Sequence, residues 1–228
     1  MKHLPAYNLI VKENILKEEL SYKNHVILTY TIKYPEIISD YFRGFLNRLN
    51  LYYKFQAESY QKTRIAKLYR LAVENFEYSV ANGFPVHTYE VIIEYTVTDN
   101  TNCTLSLYFD RYEYTGGAHG ITFRNSDTWD LVRGKRMGLE EFFPENKDFI
   151  KFVQNEIIRQ IEVNIENDEN IYFDDYADLV KENFNVKNFF ITDSGVVVYF
   201  QLYEIAPYAS GIQTFLIPYS ENLIIPEC

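Results

Sequence analysis

Tyr112-Glu113-Tyr114-Thr115-Gly116-Gly117-Ala118-His119-Gly120 is the stretch from which the fold of this chain is read: an aromatic strand pattern runs into three of the nine glycines and one of the four histidines. Glycine clusters of this kind mark backbone that needs positive φ, or a place where another segment approaches with no Cβ in the way. Either reading makes the stretch a fixed corner between two strands. Just upstream, Tyr89, Val91, Ile93, Tyr95 and Val97 alternate with Thr88, Glu90, Glu94, Thr96 and Thr98, and only Ile92 interrupts them. After the turn-prone Asp99-Asn100-Thr101-Asn102, the residues Cys103, Leu105, Leu107 and Phe109 alternate with Thr104, Ser106 and Asp110. A hairpin is predicted, with its second arm leading into the corner.

Further upstream, Val26, Leu28, Tyr30, Ile32 and Tyr34 occupy every second position, the pattern of a half-buried strand that Pro35 is expected to stop. Tyr7 to Leu16 reads as its antiparallel partner, with the polar segment Leu16-Lys17-Glu18-Glu19-Leu20-Ser21 turning between them. From Ile37 the period changes: Ile37, Ile38, Tyr41, Phe42, Phe45, Leu46, Leu49, Tyr52 and Tyr53 recur at helical spacing, and the pattern continues to Phe76. One long helix or two in tandem fit this, capped near Asn82-Gly83. Downstream of the corner, Ile121 to Leu131 reads as a strand carrying Trp129, followed by a turn at Arg133-Gly134-Lys135. Phe149, Val153, Ile157, Ile161 and Ile165 then lie four apart and form one helical stripe, and a shorter helix is predicted around Tyr176 to Phe184. Strands close the chain at Val186 to Thr192, Val196 to Ile205 and Ile212 to Tyr219.

The predicted class is α+β, in two subdomains, 1–111 and 112–228, each an antiparallel sheet with helices on one face. The 228 residues can bury a full core. Twenty-one Tyr and seventeen Phe favour β-rich structure with half-buried strand faces. A net charge of −10 without a basic block argues against nucleic acid and anionic lipid as partners. No apolar run is long enough for a membrane span. The N-terminus lacks a secretory leader, which places the chain in the cytoplasm as written, or outside it if a leader has been removed. Two cysteines form no spaced motif: Cys103 reads as a small core residue and Cys228 as an exposed thiol.

The segments Tyr114 to Gly120, Trp129-Asp130-Leu131 with Gly134-Lys135, Leu139-Glu140-Glu141-Phe142-Phe143, Tyr203 to Gly211, and Ile217-Pro218-Tyr219-Ser220 occur in this order. In that order they resemble the domain of unknown function shared by the RsiV anti-sigma factor and the PdaC peptidoglycan deacetylase. The resemblance covers Tyr112 to Leu223, and the half before it is similar to the companion domain of the same proteins. It implies an α+β fold and a non-catalytic module, extracytoplasmic and lysozyme-binding in the anti-sigma factor. A protein or a cell-wall glycan is the partner it points to.

The residues offer several chemistries. His119 suits a general base or a metal ligand, but the favoured reading is a hydrogen-bonded histidine that locks the corner, because no partner for it is evident in the sequence. His3, His25 and His87 are too scattered for a metal motif. Gly116 to Gly120 can form an anion-binding nest, but no helical pattern starts directly after it and nucleotide-loop spacing is missing. No metal or cofactor is expected. Asp127 with Asp130, or Glu140 with Glu141, supply carboxylates for a hydrolase acting on glycan or peptidoglycan, which needs two of them facing across a cleft. No residue is singled out as catalytic and the hydrolase is the alternative: the leading reading is a binding surface built from the tyrosines of Tyr203 to Tyr208 with Tyr112 and Tyr114, because tyrosine offers wide amphipathic contact at small entropic cost. The expected ligand-binding set is Tyr114, Gly116, Gly117, His119, Tyr203 and Tyr208, at a shallow groove lined by Tyr114, His119, Tyr203 and Tyr208.

Overall fold

The computed structural model describes residues 9–101, 103–144, 148–167, 171–220 and 223–224. Tyr7, Asn8, Asn102, the acidic stretch 168–170 and Cys228 lie outside them. The architecture is α+β. Strands β1 (Ile10–Tyr22), β2 (His25–Ile38), β3 (Tyr89–Asp99), β4 (Thr104–Tyr114), β5 (Ile121–Asp130) and β6 (Lys135–Arg136) form one sheet in sequence order, and β7 (Phe189–Thr192), β8 (Gly195–Phe200) and β9 (Gln213–Pro218) form a second. The chain divides into two compact units interleaved in sequence: the first holds Leu9–Tyr95 with Phe109–Phe123, the second Thr96–Tyr108 and Arg124 onward.

In the first unit, β1 is longer than its polar composition suggests. The segment Leu16 to Ser21 is strand rather than turn, because Leu16, Leu20 and Tyr22 share the face that packs on the core while Lys17 and Glu19 lie on the other, and Glu18 accepts from Tyr30 Oη at 2.8 Å. The chain reverses instead at Lys23 and Asn24, which both take left-handed φ (46° and 65°), as a two-residue hairpin demands. β2 runs through Pro35 to Ile38, so Ile37 and Ile38 belong to the strand and not to the helix. Pro35 is tolerated because pairing with β3 ends at Ile32, and beyond it one edge of β2 carries no ladder bond for proline to break. β2 and β3 run parallel, Leu28 opposite Tyr89. A parallel neighbour needs a long crossover, here the helical segment α1 (Arg43–Tyr60), a π-helical turn (Gln61–Ile65) and α2 (Ala66–Asn82). Gly83 closes α2 in the left-handed conformation, at φ 70°, and Phe84 N donates to Ser79 O at 2.8 Å. Leu68, Ala72 and Phe76 pack on Leu28, Tyr30, Ile32, Val91 and Ile93 in one core.

In the second unit, α3 (Phe149–Glu166) buries its stripe of Val153, Ile157 and Ile161 completely against β8 and β9, with the short α4 (Tyr176–Asn183) contributing Val180. All six residues of β8 are buried, as befits the central strand of three. β8 stops at Phe200, earlier than its apolar pattern predicts, because Ile205 and Ala206 are core residues of a loop. Cys103 is buried but is not a bare thiol: it is disulfide-bonded, and it sits at left-handed φ (62°) in the turn before β4.

Candidate functional site

Two turn-dense segments carry the residues singled out from the sequence. The first joins β4 to β5 in the first unit. Gly116 has φ 88°, and a Cβ there would meet the His87 side chain at 3.4 Å. The Tyr114 ring stands edge-on to His87, its hydroxyl 3.5 Å from Nδ1. His119 is exposed and its Nδ1 donates to Gly120 O at 2.9 Å, a local bond that holds the turn. Gly117 differs from expectation. Its φ lies outside the positive region, and a Cβ would touch only His119 O at an ordinary 3.7 Å. The close approach is at Gly120, where a Cβ would fall 2.3 Å from the Tyr112 ring. Glycine is thus required for conformation at Gly116 and for contact at Gly120, the second a role that only the placement of Tyr112 exposes.

Glu113, just before the corner, is the most heavily engaged acid of this unit. It accepts from Tyr60 Oη and from Arg64 Nη2, and from Arg64 Nε at 2.9 Å. Burial works to raise its pKa, but the bonds from Arg64 and Tyr60 outweigh it and hold the carboxyl below the usual range. Burial, aided by the neighbouring carboxylate, pushes Tyr60 far above an ordinary phenol. Arg64 comes from the π-helical turn, whose Gln61 also bonds Tyr30 Oη at 2.5 Å, while Tyr30 donates to Glu18 at 2.8 Å. A π-helical turn interrupts regular helix and is frequent where side chains must be re-aimed.

The second segment, Gln201 to Ile212, joins β8 to β9 in the second unit. It is tied down by side chains. The Gln201 amide bonds both backbone groups of Arg124, at 2.9 and 2.7 Å, as a neighbouring strand would. The Glu204 carboxylate accepts from Gln201 N at 2.6 Å, and Asn183 Nδ2 donates to Glu204 O at 2.8 Å. Ser210 Oγ reaches Ile171 O at 3.1 Å, and Gln213 Nε2 reaches Ser210 O at 2.5 Å. On this frame Tyr203 takes left-handed φ (68°) and leaves 52% of its surface exposed, its ring 5.7 Å from that of Tyr208. A non-glycine residue in this region carries strain, which persists only where the surroundings fix it. Burial raises the Glu204 pKa, and the bond from Gln201 N only partly offsets this.

Tyr114, Gly116, Gly117 and His119 therefore belong to one unit and Tyr203 and Tyr208 to the other. Three of the four candidate acids lie beside cations. Asp127, buried, lies 2.6 Å from Arg136; Asp130 bonds Arg133 N at 2.8 Å; Glu141 lies 2.5 Å from Lys135 and accepts from Gly138 N at 3.0 Å. The sequence carries no signal for these pairings, nor for Arg124, which stacks its guanidinium over Tyr108 at 3.8 Å. Among the described residues, no three His, Cys, Asp or Glu side chains gather to hold a metal ion, and no helix is long and apolar enough to cross a membrane.

The family described as Deacetylase PdaC matches residues 21–122, and the one described as Protein of unknown function (DUF3298) matches residues 140–220. Each match covers less than half of the chain, and the two follow one another along it. The corner lies within the first match and the Tyr203 loop within the second. The peptidoglycan-N-acetylmuramic acid deacetylase PdaC of Bacillus subtilis is 26% identical over 130 residues, 56% of this chain but only 27% of that protein. A DUF3298 family member from Bacteroides fragilis superposes with a TM-score of 0.68 at 21% identity, covering 96% of this chain and 95% of its own, so the fold is shared end to end. A DUF3298 protein from Pseudomonas aeruginosa covers 95% of this chain and 91% of its own, with a TM-score of 0.49 at 17% identity.

Proposed function

We propose that this PdaC–DUF3298 chain is a non-catalytic binding module, that Tyr203 and Tyr208 belong to its contact surface, and that its partner is a lysozyme-like protein or a cell-wall glycan. The observation that carries this reading is Tyr203, whose half-exposed ring stands on strained backbone in a loop that four polar side chains hold in place. Exposed, pre-organised aromatic rings are what binding surfaces spend little entropy to present. The ion pairs of Asp127, Asp130 and Glu141 support binding over hydrolysis, since a carboxylate held by a cation in this way is poorly placed to serve as an acid. A glycan partner is supported by the B. subtilis relative, a deacetylase of a peptidoglycan amino sugar. The disulfide at Cys103 supports an oxidising compartment over the cytoplasm as the place of work.

Calorimetric titration with lysozyme and with peptidoglycan fragments tests the reading. Saturable binding to one of them, weakened about tenfold or more by Tyr203→Ala, is expected for a central aromatic contact. Flat titrations with both overturn it. Clearing of peptidoglycan in a zymogram, lost on His119→Ala, would put a hydrolase in its place.

A further inference from the structure

β1 is the outer strand of the six-stranded sheet, thirteen residues long. Among the described residues, only one of its edges is paired, with β2. Such an edge is a template for another strand, and charged residues on it ordinarily discourage pairing. The charges of β1 are arranged differently. Lys12, Glu13, Lys17 and Glu18 are all exposed, and Ile15 between them is 52% exposed. We propose that two copies of this chain pair through β1, antiparallel, about a two-fold axis at Ile15.

In that register Ile15 faces its own counterpart, Glu13 faces Lys17 and Lys12 faces Glu18, each twice by symmetry. Opposed residues are both odd-numbered or both even-numbered. Side chains that meet therefore share a sheet face, and backbone groups pointing outward meet others that also point outward. The two Glu13–Lys17 pairs flank the isoleucines on one face, and the Lys12–Glu18 pairs lie on the other. Moving the axis to Leu16 sets Glu13 against Glu19, and moving it to Asn14 sets Lys12 against Leu16 and Glu13 against Ile15. Of these neighbouring registers, only that at Ile15 opposes unlike charges and no like ones, with Glu19 facing the uncharged Val11, so the charges that repel other strands select this one. The contact is isologous and closes on itself, as a two-fold dimer must. Existing contacts leave room for it. Glu13 is 3.8 Å from Lys33, whose nearer partner is Glu94 at 3.0 Å, and Glu18 accepts Tyr30 Oη through one oxygen at 2.8 Å.

Light scattering on the whole chain, at low salt and up to about 100 μM, is the test, that being the range of a modest interface. The expected species has twice the 27.1 kDa mass of the chain and dissociates as salt is raised. Lys17→Glu and Glu13→Lys each oppose like charges across the axis, and each variant alone should be monomeric. An equimolar mixture of the two opposes unlike charges again and should form the mixed dimer. Circular dichroism establishes that both variants fold. A monomeric parent chain overturns the proposal, as does a dimer that either variant leaves intact or a mixture that stays monomeric.

Discussion

The corner between β4 and β5 and the loop between β8 and β9 solve the same problem by opposite means. At the corner, Gly116 takes the left-handed conformation and Gly120 lets the Tyr112 ring lie against bare backbone. No side chain need be presented there, so glycine meets the demand without strain. In the loop the left-handed position is held by Tyr203, and polar side chains from Gln201, Glu204, Asn183 and Ser210 fix the surroundings. The difference teaches where to look for contact residues: strain accepted in order to keep a large side chain marks a surface that uses that side chain.

The contrast is broken most severely at Gly120. Gly120→Ala drives a methyl group into the Tyr112 ring, and overpacking of this kind costs about 1–3 kcal/mol. Urea denaturation measures it. Tyr112→Ala in the same chain should restore part of the loss, and no recovery would mean that the contact is not the cause.

A somewhat smaller effect separates the two glutamates, whose pKa values move in opposite directions. Glu113 is depressed. The stability it contributes is present above its unfolded pKa of about 4.3 and is lost as pH falls through the lower folded value. Glu204 is raised, so its contribution is present below that unfolded value and is lost as pH rises through the folded one. Glu113→Gln should destabilise by about 1–2 kcal/mol at pH 7, a figure reduced for the partial exposure of Arg64, with the gap to the parent closing in acid. Glu204→Gln should be neutral or slightly stabilising at pH 7 and should lose that advantage in acid. Melting curves from pH 3 to 8 decide between these outcomes, and parallel curves for both variants would refute the assignment.

The smallest effects sharpen the comparison. Tyr203→Gly relieves strain but frees the unfolded chain, so stability should shift by no more than about 0.5 kcal/mol while the proposed binding disappears. Gly117→Ala, at ordinary backbone with only His119 O nearby, should stay within about 0.5 kcal/mol as well. A large loss at Gly117 would contradict the geometry of the corner.

What the sequence reveals follows from the range of each signal. Period-two alternation in β3 and β4, the stripe of α3 and the glycine cap of α2 are local, and residues such as Val91, Ile157 and Gly83 announce them directly. β1 is hidden because charges on an exposed edge strand look like a turn. The parallel pairing of β2 with β3 and the Glu113–Arg64–Tyr60 cluster are not written locally, because each depends on segments tens of residues apart. For the candidate site, the aromatic density of Tyr203 to Tyr208 is visible in the sequence, but the backbone strain at Tyr203 is not.

The parallel pairing also sets an order of assembly. The β1–β2 hairpin closes over the two residues Lys23 and Asn24, an event of microseconds for short chains. Leu28 meets Tyr89 only after a loop on the order of 60 residues has closed, and that entropy is spent before any β2–β3 contact repays it. Helix formation within α1 and α2 shortens the span to be closed, so the crossover helices serve as a scaffold in folding as well as a cover for the finished sheet.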